Sequence, residues 1–197
     1  MPLRIHKMKI NRTVPFSVQT PLTEEIIASL RAGDMVLLSG DLYTARDAAH
    51  RRMVEAVQKG LPPPVDLKTA AIFYAAPSPT PPGKIIGSIG PTTSYRMDAF
   101  TPFLMEQGLR VMIGKGNRSP EVAAAIQKYG GVYFGAIGGI AALTARCVIR
   151  METVAYGDLG PEAIRSLTVV DLPLVVANDA QGNDLYKTEQ NKWRISL

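Results

Sequence analysis

Apolar positions along this chain switch between two periods, and the switches mark its elements. Ile26, Ile27 and Leu30 share a helical face, Thr23 can cap it, Glu24 and Glu25 suit its first turn, and Gly33 ends it. Met35 to Ser39 reads as a short strand, followed by a helix over about 45–59. In that helix Thr44 and Asp47 resemble a capping box, and Gly60 supplies the stop. Pro62 to Pro64 form a stiff connector before a buried strand at Ala70 to Ala76. A second rigid segment carries Pro77, Pro79, Pro81 and Pro82.

The run Ile85 to Ile89 then leads through a turn into a helix over about 96–107, ended by Gly108. Leu109 to Ile113 is the next strand. Ser119-Pro120-Glu121 opens a helix with a cap, a proline at the first position and an acid at the dipole's positive end. Tyr129-Gly130-Gly131 closes it, Val132 to Ile137 is a strand, and an Ala-rich helix covers Ala141 to Ala145. Val169 to Asp171 and Leu174 to Ala177 are late strands, and Asp179 to Asn183 predicts a hairpin turn. Strands alternating with helices imply an α/β fold with a partly parallel sheet. Leu3, Ile5, Met8 and Ile10 hint at an extended arm within residues 1–20, and with the closing hairpin this points to a mixed sheet in a single domain spanning 1–197.

The 197 residues are 46% hydrophobic and 20% charged, which sets disordered and fibrous classes aside. A net charge of +5 is compatible with nucleic acid, an acidic surface or an anionic substrate. The basic residues are scattered and aromatics make up only 7%, which argues against nucleic acid. The single cysteine, Cys147, excludes an intrachain disulfide and can hold no iron–sulfur cluster by itself. The first twenty residues have no continuous apolar run, so neither a membrane anchor nor a signal peptide is expected, and the expected location is cytoplasmic.

Arg46, Arg96 and Lys115 each lie at a turn rich in glycine or hydroxyl groups next to an expected helix start. A helix N-terminus is the least favourable end for a cation unless an anion arrives, and two guanidinium forks with one ammonium fit a small dicarboxylate. The alternative is surface charge neutralised internally by Asp47 and Asp98. Thr92, Thr93 and Ser94 could be turn residues and a cap, or could place a hydroxyl against a substrate. His6 and His50 are far apart, which disfavours a histidine metal site, and His50 reads as packing or hydrogen bonding. Gly114-Lys115-Gly116-Asn117 lacks a full phosphate-loop pattern, while Gly135, Gly138 and Gly139 suit a close backbone approach.

Taken in order, Tyr43-Thr44-Ala45-Arg46-Asp47-Ala48-Ala49-His50, Pro82-Gly83, Gly87-Ser88-Ile89-Gly90-Pro91-Thr92-Thr93-Ser94, Arg96-Met97-Asp98 and Gly114-Lys115-Gly116-Asn117 resemble the β subunit of the class I fumarate hydratase and L-tartrate dehydratase family. The likeness runs from about Leu22 to Tyr186. It implies a swivelling β/β/α domain that docks on an α subunit, whose three cysteines hold a [4Fe–4S] cluster. By carry-over, Arg46, Arg96, Lys115 and Thr93 bind the substrate and Thr92 is the candidate base. The implied reaction is reversible hydration of fumarate to malate in a hetero-oligomer. L-tartrate and mesaconate are the alternative substrates, and a non-enzymatic organic-anion-binding regulatory subunit is the alternative role. Tyr95 and Pro161 depart from the family pattern, and the first could reshape the pocket.

Overall fold

The computed structural model describes residues 14–194, and most of the expected N-terminal arm, with His6, lies outside them. The chain runs through β1 (Phe16–Gln19), α1 (Glu24–Ser29), β2 (Met35–Thr44), α2 (Asp47–Gln58), β3 (Ala71–Phe73), β4 (Ala75–Pro77) and β5 (Ile89–Pro91). A 3₁₀ turn at Ser94–Met97 precedes α3 (Thr101–Glu106), β6 (Val111–Gly114), α4 (Pro120–Tyr129), β7 (Val132–Gly135), α5 (Ala141–Arg146) and β8 (Val148–Ala155). A second 3₁₀ segment, Gly157–Glu162, leads to β9 (Ile164–Asn178) and α6 (Leu185–Trp193).

The fold is α/β with a mixed sheet, as the alternating pattern implies. β1, β2, β3, β6 and β7 pair in parallel, while β9 runs antiparallel to β2, β7 and β8. Because β9 bonds both β2 and β7, the pairings β2–β3–β6–β7–β9 close into a circuit. The ladder between β2 and β9 carries a bulge at Leu38/Gly40, where Gly40 takes a φ of +104°. A bulge bends a long strand and raises its twist, which lets two strands cross from one side of the fold to the other.

Alternation along the short parallel strands sorts their side chains into two cores. Ala71, Phe73, Val111, Ile113, Val132 and Phe134 face inward against residues of β2 and β9 such as Leu38, Leu42, Leu172 and Val176. Ile72, Met112 and Tyr133 face the other way, against Ala49 and Met53 of α2, Leu104 of α3 and Val122 and Ile126 of α4. Two strand layers and one helix layer result, the β/β/α arrangement that the resemblance implies.

Several expected boundaries move. The strand expected at Ala70 to Ala76 divides into β3 and β4, with β4 leaving the main sheet to pair with β5. The helix expected over 96–107 is a 3₁₀ turn followed by α3. The two late strands are one fifteen-residue strand, β9. β8 was not foreseen, because its inner and outer positions are almost all solvent-exposed and no apolar alternation marks it. The hairpin turn at Asp179 to Asn183 forms and closes a single antiparallel bridge between Asn178 and Asp184, after which the chain enters α6 and no second strand follows among the described residues. Asp179 accepts hydrogen bonds from the Gln181 and Asn183 amides, and Asp184 caps the helix through the Lys187 amide. The capping box at Thr44 and Asp47 does not form. Arg46 is the N-cap, and the Thr44 hydroxyl turns to the Ala163 carbonyl and the Arg165 amide.

Candidate functional site

Five candidate residues gather where the parallel strands β2 and β6 end, beside the end of β5 in the separate antiparallel β4–β5 pair. Arg46 follows β2, Thr92 and Thr93 follow β5, and Lys115 follows β6. Backbone bonds stitch the last two turns together. Thr92 N donates to Tyr74 O at 2.6 Å, Lys115 N to Thr92 O at 3.3 Å, and Ser94 N to Lys115 O at 2.9 Å. Thr93 also forms a parallel bridge with Lys115 and stands, without a side-chain capping bond, at the N-cap position of the 3₁₀ turn that carries Arg96.

Two glycines make this closeness possible. A Cβ at Gly114 would overlap the Ser94 hydroxyl and stand 2.9 Å from Tyr74 Cδ2. Gly116 has a φ of +80°, a region that side-chain-bearing residues rarely enter. On the far side, the Gly138-Gly139 turn approaches Lys115. A Cβ at Gly138 would lie 3.9 Å from the lysine Nζ.

The two arginines meet through one carboxylate. Arg96 Nε donates to Asp47 Oδ1 at 2.8 Å, and Arg46 Nε lies 3.8 Å from Asp47 Oδ2. Arg46 Nη2 is also 3.2 Å from Glu162 Oε1, while Glu162 Oε2 accepts the Ala48 amide at 3.0 Å. Internal neutralisation by Asp47 is therefore real, and Glu162 adds to it. Asp98 plays no part in it, since its partner is Arg118. Among the described residues Lys115 Nζ makes no ion pair, and the Arg96 side chain makes no hydrogen bond beyond its Nε contact. Of the three basic residues only Arg46 sits at an α-helix N-terminus. Arg96 lies inside the 3₁₀ turn, and Lys115 precedes α4 by five positions.

Behind the turns lies a buried polar network that sequence reading missed. The Arg118 side chain has no exposed surface and donates through Nε to Asp98 Oδ1 at 2.7 Å and through Nη2 to Thr101 Oγ1 at 2.8 Å. Its guanidinium carbon sits 5.3 Å from the ring centroid of Tyr74 and 4.9 Å from that of Tyr133, placing the cation against both π-faces. Asp98 Oδ2 accepts the Ser119 amide at 2.6 Å. The Tyr133 hydroxyl donates to Gly116 O at 2.9 Å, so the Ser94 hydroxyl, also 2.9 Å away, donates to it. Burial pushes the Tyr133 phenol well above its ordinary range, against the opposing bond from Ser94 and the charge of Arg118. The only available signal was a tyrosine at a buried strand position, which is equally a core residue.

His50 is fully buried, one turn into α2, and its Nδ1 lies 2.9 Å from Arg46 O. Burial holds its pKa down at about 4, with the Arg46 carbonyl opposing and Arg118 reinforcing the shift. The ring is neutral at pH 7, packs edge-on to Tyr74 and leaves Nε2 without a partner. Tyr95, which departs from the family pattern, is exposed. A groove of about 500 Å³ between the Pro81 to Ser88 segment and α5 is lined by Lys84, Ile86, Ala142 and Arg146 among others, and by none of the five candidates.

Among the described residues no group of three or more His, Cys, Asp or Glu side chains could hold a metal ion. Cys147 stands alone, 3.8 Å from Leu143 O and 3.9 Å from Asp171 O, and burial raises its pKa. The donor set of this chain does not fit an iron–sulfur cluster. No helix is long and apolar enough to cross a membrane among those residues.

Residues 2–189 match the family described as Fumarase C-terminus. Fumarate hydratase 2 of Leishmania major is 43% identical over 156 residues, covering 78% of this chain and 28% of that protein. The anaerobic class I fumarate hydratase of Escherichia coli K12 is 37% identical over 197 residues, 98% of this chain and 36% of its own length. An inferred L(+)-tartrate dehydratase subunit beta of Methanocaldococcus jannaschii is 40% identical over 177 residues, 87% of this chain and 90% of that subunit. The chain thus spans about a third of the length of the fumarate hydratases that it matches.

Proposed function

The chain belongs to the Fumarase C-terminus family, whose members include hydro-lyases, and we propose that it is the β subunit of a fumarate hydratase active only with an α subunit. The observation that carries this reading is the arrangement of three cations at the strand ends. Arg46 and Arg96 are braced by carboxylates, and among the described residues Lys115, bridged to Thr93 of the neighbouring turn, makes no ion pair. Taken as charges, Arg46, Arg96 and Lys115 outnumber Asp47 and Glu162 by one, so an anion is favoured and a dianion needs further positive charge from elsewhere. A partner closing over the turns meets that need.

In this reading Arg96 grips one carboxylate with its two Nη groups, and Arg46 and Lys115 hold the other. Thr93 lines the same turn and contributes to substrate binding. The Thr92 hydroxyl is the base. Hydration places a hydroxyl on one alkene carbon and a proton on its neighbour, and in the reverse direction Thr92 takes that proton as hydroxide departs. Cations beside a hydroxyl favour its deprotonated form, which is the setting that a threonine base requires. The [4Fe–4S] cluster is assigned to the α subunit, because this chain offers one thiol.

The test is Arg96→Ala in the assembled complex. We expect loss of fumarate hydration with assembly unchanged, and retained activity removes the central residue of the proposal. L-tartrate dehydration is the second reading, favoured by the relative that matches over nearly its whole length and whose name gives an inferred tartrate dehydratase subunit beta. A methylated substrate such as mesaconate belongs to the same chemistry.

A further inference from the structure

We infer that Glu162 is a positioning residue that makes the two arginines unequal, so that Arg96 binds a substrate carboxylate as a fork and Arg46 contacts a single oxygen. The inference rests on the dicarboxylate reading above and deepens it.

The Glu162 carboxylate fills the anion position at the N-terminus of α2. One oxygen lies 3.2 Å from Arg46 Nη2 and the other accepts the Ala48 amide at 3.0 Å. A helix terminus and one edge of a guanidinium, the natural seat for a ligand anion, are already occupied from within. Arg46 Nε is buried without a hydrogen-bond partner, 3.8 Å from Asp47 Oδ2, so among the described residues Nη1 is the nitrogen left for a ligand. Among the described residues the Arg96 side chain engages only through Nε, and the Nη pair that forms the end-on fork stays open.

The placement of Glu162 is built into the fold. The segment that carries it is tied to α2 by a two-point bridge, Arg52 Nη1 and Nη2 to the two Asp158 oxygens, both at 2.8 Å. Arg52 also lies 4.9 Å from the Tyr156 ring centroid. From the other side Arg165 donates to the carbonyls of Gly160 at 2.8 Å and Pro161 at 3.0 Å. Tyr156 and Gly160 take positive φ angles of 55° and 57°, which turn the chain back toward the helix. These anchors hold the carboxylate where it restrains Arg46.

The experiment compares wild type with Glu162→Gln in the assembled complex. It uses calorimetric binding of succinate, a dicarboxylate that cannot react, together with steady-state turnover. Glutamine keeps an acceptor for the Ala48 amide and removes one negative charge near the ligand. We expect succinate to bind about tenfold tighter, KM to fall, and kcat to drop at least tenfold as Arg46 loses its orientation. A structural defect would lower kcat by reducing the active fraction and leave KM where it was. Unchanged succinate affinity overturns the inference alone. No succinate binding by wild type removes the dicarboxylate reading and the inference with it. Should the glutamine variant fail to assemble, Glu162→Asp keeps the charge but cannot span both contacts. It is then expected to hold succinate affinity within about twofold while kcat falls about tenfold, and unchanged kcat refutes the positioning role.

Discussion

Replacing Arg118 with alanine tests whether the buried network behind the turns is as strong as its geometry implies. The side chain is wholly enclosed, and its partner Asp98 is only 10% exposed. Alanine removes a 2.7 Å charge-assisted bond to Asp98 and a 2.8 Å bond to Thr101, and leaves the carboxylate buried with the Ser119 amide as its remaining donor. Losing one member of a buried pair costs about 3–5 kcal/mol, and the cavity between Tyr74 and Tyr133 places this case near the middle, about 4 kcal/mol. With an unfolding entropy of roughly 2.1 cal/mol/K per residue, a chain of this length loses about 10 °C in Tm. Urea unfolding should show the midpoint fall with the slope unchanged. Removing Asp98 as well should recover a good part of the loss, because no unpaired carboxylate remains. A cost below about 1 kcal/mol, or strict additivity of the two changes, would refute the account of this network.

Other consequences are as specific. His50 is held neutral with its pKa near 4, below the value of about 6.5 in an unfolded chain, so the unfolded state binds more protons between those limits. Its effect on stability is neutral above pH 6.5 and destabilising as pH falls toward 4, by up to about 3 kcal/mol. Denaturation midpoints of wild type and His50→Asn across that window should diverge in slope, and parallel curves would show that the ring titrates normally. Gly114→Ala forces a Cβ against the Ser94 hydroxyl and Tyr74, and should cost about 1–3 kcal/mol and separate the Thr92 and Lys115 turns. A variant as stable and as tight for succinate as wild type would contradict that packing.

The fold was legible where period and punctuation agreed. Ser119, Pro120 and Gly130 bound α4 as their chemistry requires, and Gly130 takes the left-handed φ of 65°. The apolar runs at Val111 and Val132 became parallel strands buried on both faces. β8 escaped because its side chains are mostly exposed, and β9 was split because Asp171 and Pro173 interrupt its apolar run. In the candidate site, the glycine and hydroxyl turns are what single out Arg46, Arg96 and Lys115 as candidates. The partners of those residues did not announce themselves. Glu162 reaches Arg46 across more than a hundred residues, and Arg118 reads as an ordinary surface cation next to Asn117 until the fold encloses it between two tyrosines. Contacts of that kind depend on topology, which local spacing does not encode.

The most direct test of the central claim is fumarate hydration by this chain isolated anaerobically from its native host together with whatever binds it. The account predicts malate formation that tracks a co-purifying iron–sulfur chain and disappears with Arg96→Ala. A preparation with no cluster-bearing partner and no hydro-lyase activity toward fumarate, L-tartrate or mesaconate would contradict it.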